Sequence, residues 1–442
     1  MKNILKFLTS LKLTVVCLSL SMVVVFFGTM AQDPLGLYIA QDRFFHSFFI
    51  DSTAFMASIQ KTLQMFDIYV ERPLTGADVV SGKWIPVFPG GYLLGSVLLV
   101  NLIAAHATRF KFTKAKAGIF LTHVGIIVLL VGQLFTDLFS TESNMRIVEG
   151  QTSNYSVNPR LSALALIDVS DPDKDRVISI PQTMLKKGGV LEHPDLPFKL
   201  RVIDYWKNAD VRGQSSPGFT KVDADQGVGP RVHVKEEPVA TAQDEFDLAA
   251  SVIEVFEFDE DHGHDHSLGK WFCWEGLGGH QTFKHGEKEW EIVMRRKRYY
   301  NDYTIKLVKA RHDKYKGTEI PRNFSSDIVL SASGQPDREV KIYMNNPLRY
   351  GGKTFYQYQM SADEARMQQG MQRSSTLQVV QNATWLAPYA ACVIVGLGLL
   401  IQFLIHFVKF LDRGQKKPAE AKAEPASDRK KSKNPDRKKK AK

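Results

Sequence analysis

Cysteine is scarce: Cys17, Cys273 and Cys392 are the only three in 442 residues, and no two are close in sequence. That spacing excludes a CxxC thiol centre and a CxxCH haem-attachment site, so the chain is neither a thioredoxin-like oxidoreductase nor itself a c-type cytochrome. It contains no P-loop, no hydrolase triad and no paired-carboxylate site. Asp327, after Ser325 and Ser326, reads as a turn or strand-edge group rather than a catalyst. Charge is missing from four long runs, Leu13–Met30, Val87–Ala107, Ala117–Thr136 and Thr384–Val408. Each can cross a hydrocarbon core of roughly 30 Å at about 1.5 Å per residue. The sequence therefore predicts a membrane protein with four spans.

Net charge is also short outside one place. The tail from Arg413 holds thirteen Lys and Arg against four acids, which is nine of the chain's ten net positive charges. The remainder is nearly neutral, so the basic balance does not point to nucleic acid. The tail itself reads as a solvated, disordered segment near anionic lipid. Short basic loops stay in the cytoplasm. Lys2, Lys6 and Lys12 at the N-terminus, Arg109, Lys111, Lys114 and Lys116 between the second and third runs, and the tail all fall on one side if four spans are counted. Both termini are then cytoplasmic. A cleaved signal peptide is the alternative for the first run, whose end "GTMAQD" looks faintly like a cleavage site. The run exceeds the usual ~7–15 apolar residues, which favours a retained helix.

The expected organisation is a cytoplasmic N-terminus (1–12), a first span (13–30), an extracytoplasmic loop (31–86) and a second span (87–107). A basic loop (108–116), a third span (117–138), a large extracytoplasmic domain (139–383), a fourth span (384–408) and the basic tail (409–442) follow. In the first loop, "FMASIQKTLQMFDIYV" spaces Phe55, Ile59, Leu63 and Phe66 as a helix that lies on the membrane surface or a partner. The large domain is a succession of short β-rich runs, among them "LSALALIDV", "FKLRVIDYW", "SVIEVFEF", "EWEIVMRRKRYY", "YTIKLVKA" and "EVKIYM". Strand after strand predicts a mainly-β domain, a sandwich or an open barrel. One polar stretch, "DEDHGHDHSLGKWFCWEGLGGHQTFKHGEKEW", reads as a loop whose His262, His264 and His266 could hold zinc, copper or nickel.

The domain closes with "MNNPLRYGGKTFYQYQM". Pro347 fixes φ, and Gly351–Gly352 permit a turn with φ > 0, which would reverse the chain between "EVKIYM" and "TFYQYQM". The run from Asn345 through Pro347, Leu348, Arg349, Gly352, Phe355, Tyr356 and Gln357 resembles the closing N-x-P-L-R-x-x-G-x-x-F-Y-Q motif of the ResB (CcsB) family of cytochrome c maturation proteins. "SLKLTVVCLSLSMVVVFFGT", "HVGIIVLLVGQLF" with "MRIVEGQTSNY", and "IPRNFSSDIVL" are similar to further landmarks of that family. The chain departs from the family in a longer first loop and in the His-rich stretch.

The resemblance implies a System II role: with a ResC (CcsA)-like membrane partner, the chain would move haem b outward and attach it to apocytochrome c. It would do so as a non-catalytic or co-catalytic subunit of a holocytochrome c synthase, with a thiol-reducing thioredoxin-like protein as a further partner. "KWFCWEGLGG" has two tryptophans but not the WWD pattern of the synthase half, so the chain resembles the ResB subunit alone. In the family, a third-span histidine ligates haem inside the membrane, with a second ligand from the partner. His123 matches that position, roughly six residues or ~9 Å into the span. Gly118, Gly125 and Gly132 fall on the opposite side of that helix and offer a close-packing stripe. The alternative for His123 is an interhelical hydrogen bond. His106 and His406 lie at the cytoplasmic ends of the second and fourth spans and either snorkel or help admit haem. Two other classes stay open: a membrane-anchored β scaffold, and a metal-handling protein without a haem role.

Overall fold

A computed structural model describes residues 2–108, 110–172, 174–240, 245–259, 264–318, 320–361 and 372–420. Among the described residues, four helices are long and apolar enough to cross a membrane, contained in Leu11–Leu35, Gly91–Thr108, Lys114–Phe139 and Ala387–Asp412. The chain forms two compact units. One holds 1–101 and 135–384, the other 102–134 and 385–442.

In chain order the helices are α1 (Lys2–Leu8), α2 (Leu11–Leu35), α3 (Leu37–Ala40), α4 (Ser52–Gln64), α5 (Gly76–Ser81), α6 (Gly91–Thr108), α7 (Ala117–Phe139) and α8 (Ala387–Glu420). In the first unit α1 leads into α2, which is stopped by Gly36 at φ 76. Asp51 starts α4 by accepting from the Thr53 and Ala54 amides, each at 3.0 Å. The sequence predicts that α4 rests on the membrane or a partner. Its small face, Ala54 and Ala57, is buried in the chain's own core beside Val24, Ala31 and Leu35 of α2, while Leu63 and Phe66 of the predicted surface-lying run are exposed. The Phe27 and Phe55 rings lie 5.0 Å apart across that contact. Helix α8 continues past the apolar run to Glu420, through residues read from the sequence as the start of a disordered tail.

The rest of that unit is mainly β. Strands β3 (Thr141–Val148), β4 (Thr152–Asp168), β14 (Lys288–Lys314), β15 (Pro321–Ala332), β16 (Arg338–Tyr343), β17 (Leu348–Tyr350), β18 (Lys353–Ser361) and β19 (Ser374–Gln381) form the path of a ten-stranded antiparallel sheet. Its order is β16-β15-β14-β4-β3-β19-β18-β17, and a bridge between Tyr343 and Asn346 brings its two ends together. The result is a nearly closed barrel around Met145, Ile305, Leu307, Ile328, Leu348, Phe355 and Leu377. Strands β5 (Arg176–Pro181) and β13 (Gln281–His285) widen the far half of the same sheet. A second sheet, β12-β11-β7-β6, comprises β6 (Val190–Leu191), β7 (Lys199–Trp206), β11 (Ala250–Asp259) and β12 (His264–Trp274). It closes a sandwich core of Leu164, Leu166, Ile253, Trp271, Trp290 and Ile292 with that half. Barrel and sandwich thus share β4 and β14.

Three readings need correction. "EWEIVMRRKRYY" and "YTIKLVKA" are one continuous strand, β14, because both half-cores use the same long ribbon. The polar His-rich stretch is largely strand: β12 pairs with β11, and His264 and His266 sit opposite Asp259 and Glu257. Backbone pairing overrides the loop-like composition there. The double-glycine turn does reverse the chain, with Gly351 at φ 57 and Gly352 at φ 72. It joins β17 to β18, however, and "EVKIYM" pairs with β15 instead.

Candidate intramembrane histidine site

Helix α7 is glycine-striped on one side. A Cβ on Gly118 would stand 2.5 Å from the Gly398 carbonyl oxygen, and one on Gly125 would stand 2.6 Å from Val395 Cγ2. At Gly132 the clash would be with Ala387 Cβ at 2.5 Å. Helices α7 and α8 therefore touch backbone to backbone along this stripe, as small residues permit in a membrane. His123 lies off the stripe.

There it meets the end of α6. The His106 and His123 rings have centroids 4.6 Å apart and planes inclined at 51°. His106 Nδ1 donates to the Leu102 carbonyl at 2.9 Å, and His123 Nδ1 to the Ile119 carbonyl at 2.8 Å. A carbonyl can only accept, so each Nδ1 carries the hydrogen, and in the neutral ring Nε2 keeps the lone pair. His106 Nε2 is buried and has no hydrogen-bond partner. Phe110 stacks on His106 at 5.1 Å, Phe120 lies 5.6 Å from Phe110, and Phe112 meets Phe120 edge-on at 5.6 Å. His106 thus sits against an aromatic wall supplied by the short basic connection and the first turn of α7. An imidazole fixed through Nδ1 with Nε2 free is the arrangement that metal-ligating histidines use. Ring centroids 4.6 Å apart leave no room for a macrocycle between them, so the two rings cannot bind opposite faces of one iron as they stand.

His406 is on α8, exposed, with Nδ1 donating to the Gln402 carbonyl at 2.8 Å. His262 lies outside the described residues, as does Arg109 of the basic connection. His266 is exposed on β12, and among the described residues no group of three His, Cys, Asp or Glu is placed to hold a metal. Two further histidines of that region contact carboxylates: His280 meets Glu291, and His285 meets Glu257. In the closing motif, Leu348 and Phe355 are buried register partners. Gln357 takes a hydrogen bond from Ser326 at 2.7 Å and gives one to Ser375 at 3.0 Å. Asn345 and Arg349 are exposed, Pro347 and Tyr356 half-buried. The motif is therefore built into the barrel wall, with β19 between it and the last span.

Residues 268–372, roughly a quarter of the chain, match the model of the ResB-like family. The matched segment runs from β12 through the closing motif and stops before β19. No curated protein matches the chain. The sequence reading missed Phe110, Phe112 and Phe120. The signal was an F-x-F pair inside a basic connection, which reads as interface anchoring until the helices on either side are folded together.

Proposed function

We propose that this ResB-like chain is a membrane subunit that helps deliver haem b for covalent attachment to apocytochrome c outside the cytoplasm, with a ResC (CcsA)-like protein as its membrane partner. The observation that carries the reading is the His106–His123 pair: two imidazoles on neighbouring spanning helices, each tied to its own backbone through Nδ1. Neutral imidazole is a common axial ligand of haem iron, and an ionisable side chain at membrane depth is a functional-site hypothesis by default. In this reading His123 supplies one axial position and the partner subunit the other. His106, whose Nε2 is buried and unbonded, stands beside it on the side of the basic connection and helps admit the cargo. Phe110 and Phe120 pack around the His106 ring and shield it from water. Thioether formation joins haem vinyl groups to apocytochrome thiols, which a thioredoxin-like protein keeps reduced, and asks no general base of this chain. In this reading both termini lie in the cytoplasm of a bacterial inner membrane and the β domain outside it, which the short basic loops support.

The test is the absorption spectrum of the chain co-purified with a ResC-like partner. The wild type should show a Soret band and His123→Ala should lose it, with His106→Ala reducing occupancy. A band of equal size in wild type and His123→Ala would remove His123 as the ligand. Absence of a band in every preparation would favour a β scaffold without a haem role.

A further inference from the structure

Strand β14 loses register with β4 between Arg296, opposite Ser162, and Arg298, opposite Val157. Such irregularities re-aim side chains, and here they act on a basic run, Arg295-Arg296-Lys297-Arg298. The Arg298 guanidinium lies over the Tyr155 ring, 4.2 Å from its centroid. Tyr155 is the register partner of Tyr300, and their rings are 5.7 Å apart. Arg295 Nη2 donates to the Tyr300 hydroxyl at 3.1 Å. Arg296 takes no part, because its guanidinium pairs with Glu275 at 3.0 Å. Among the described residues, Arg295 and Arg298 have no carboxylate in ion-pair contact. Burial first, and the neighbouring Arg298 charge second, push the Arg295 pKa down. Two like charges are thus held together at a half-buried place, with Glu291 acting on Arg295 only at longer range and no carboxylate in ion-pair contact among the described residues, a cost that an anion would lower.

Guanidinium planes fork onto phosphate and carboxylate oxygens, and stacking on tyrosine fixes the plane. The location decides which anion is at hand. Val157 pairs with Arg298 on one side and with Asn144 of β3 on the other. β3 starts at Thr141, directly after α7 ends at Phe139. Three strand residues and two strand spacings put Arg298 within about 15 Å of Thr141, two residues past the end of a spanning helix. Headgroups add about 5–8 Å to each side of the hydrocarbon core, so a long arginine side chain can meet them. We propose that Arg295, Arg298 and Tyr300, with Tyr155 as platform, bind the phosphate of an anionic phospholipid. The site is independent of the haem reading.

Native mass spectrometry of the full chain in detergent, titrated with phosphatidylglycerol or phosphatidylcholine, tests it. Wild type should retain phosphatidylglycerol preferentially, and Arg295→Gln with Arg298→Gln should retain one such lipid fewer with phosphatidylcholine unchanged. Arg298→Lys, which keeps the charge but not the planar fork, should fall between. Removing uncompensated charges should leave the lipid-free thermal midpoint level or higher, while the rise on adding phosphatidylglycerol shrinks. Wild-type retention in the double variant, an equal loss in the exposed control Lys341→Gln, or a lowered lipid-free midpoint would each overturn the site. Displacement of the bound phosphatidylglycerol by haem would assign the anion to carboxylates and overturn the lipid.

Discussion

Asp168 ends β4 and faces Lys288 at the start of β14, with Nζ to Oδ2 at 2.7 Å. Hydrogen bonds from Lys288 and Ser170 hold its carboxyl at about 2, below its ordinary 3.8. A depressed carboxyl contributes stability that is complete above the ordinary value and lost as pH falls through the folded one. The domain should therefore lose part of its stability between pH 3.8 and about 2, and Asp168→Asn should flatten that part of the acid-unfolding curve followed by tryptophan fluorescence. At this scale the sequence told less than its motif suggested. Pro347 and the paired glycines announced a turn, and a turn is there. Which strand lies across it depends on register, and Leu348 opposite Phe355 won because that pairing buries both side chains in the barrel.

Helices were the most legible elements. The glycine period of α7 predicted a close contact on one side and left His123 to the other, since small residues every seven positions repeat on one face. The period could not say which helix would fill the stripe. In the structure α8 does so, and Gly125→Val should be among the most damaging changes outside the β domain. Its branched side chain would meet Val395 and the Ala391 carbonyl, both now within about 3 Å of the Cβ position. Overpacking of this kind costs about 1–3 kcal/mol, and should lower the melting midpoint of the detergent-solubilised protein. Strand limits were less legible. β14 runs unbroken through "RRKRYYNDY", a stretch whose charge suggests a break, because its neighbours satisfy its backbone along most of its length.

For the whole molecule, the spans and the mainly-β domain follow from composition: long charge-free runs have nowhere to go but lipid, and alternating short runs have no helical face to bury. The predicted orientation is checked by a membrane-impermeant maleimide. A cysteine at exposed His266 should label from outside intact cells, and one at Lys111 only after the membrane is opened. Labelling of Lys111→Cys from outside would reverse the assignment of sides.

What the sequence by itself determined is therefore the membrane character, the four hydrophobic helices, the β-rich class of the large domain and the position of His123 within a span. These depend on hydrophobic period and on the reach of a helix, which are local properties. Only the tertiary structure decided that His106 stands 4.6 Å from His123 between ring centroids, that barrel and sandwich share a ribbon, and that Arg295 and Arg298 come together with no acid in ion-pair contact among the described residues. Each of these depends on which distant segment packs against which, a choice made by the summed burial and backbone pairing of the whole chain rather than by any one stretch of it.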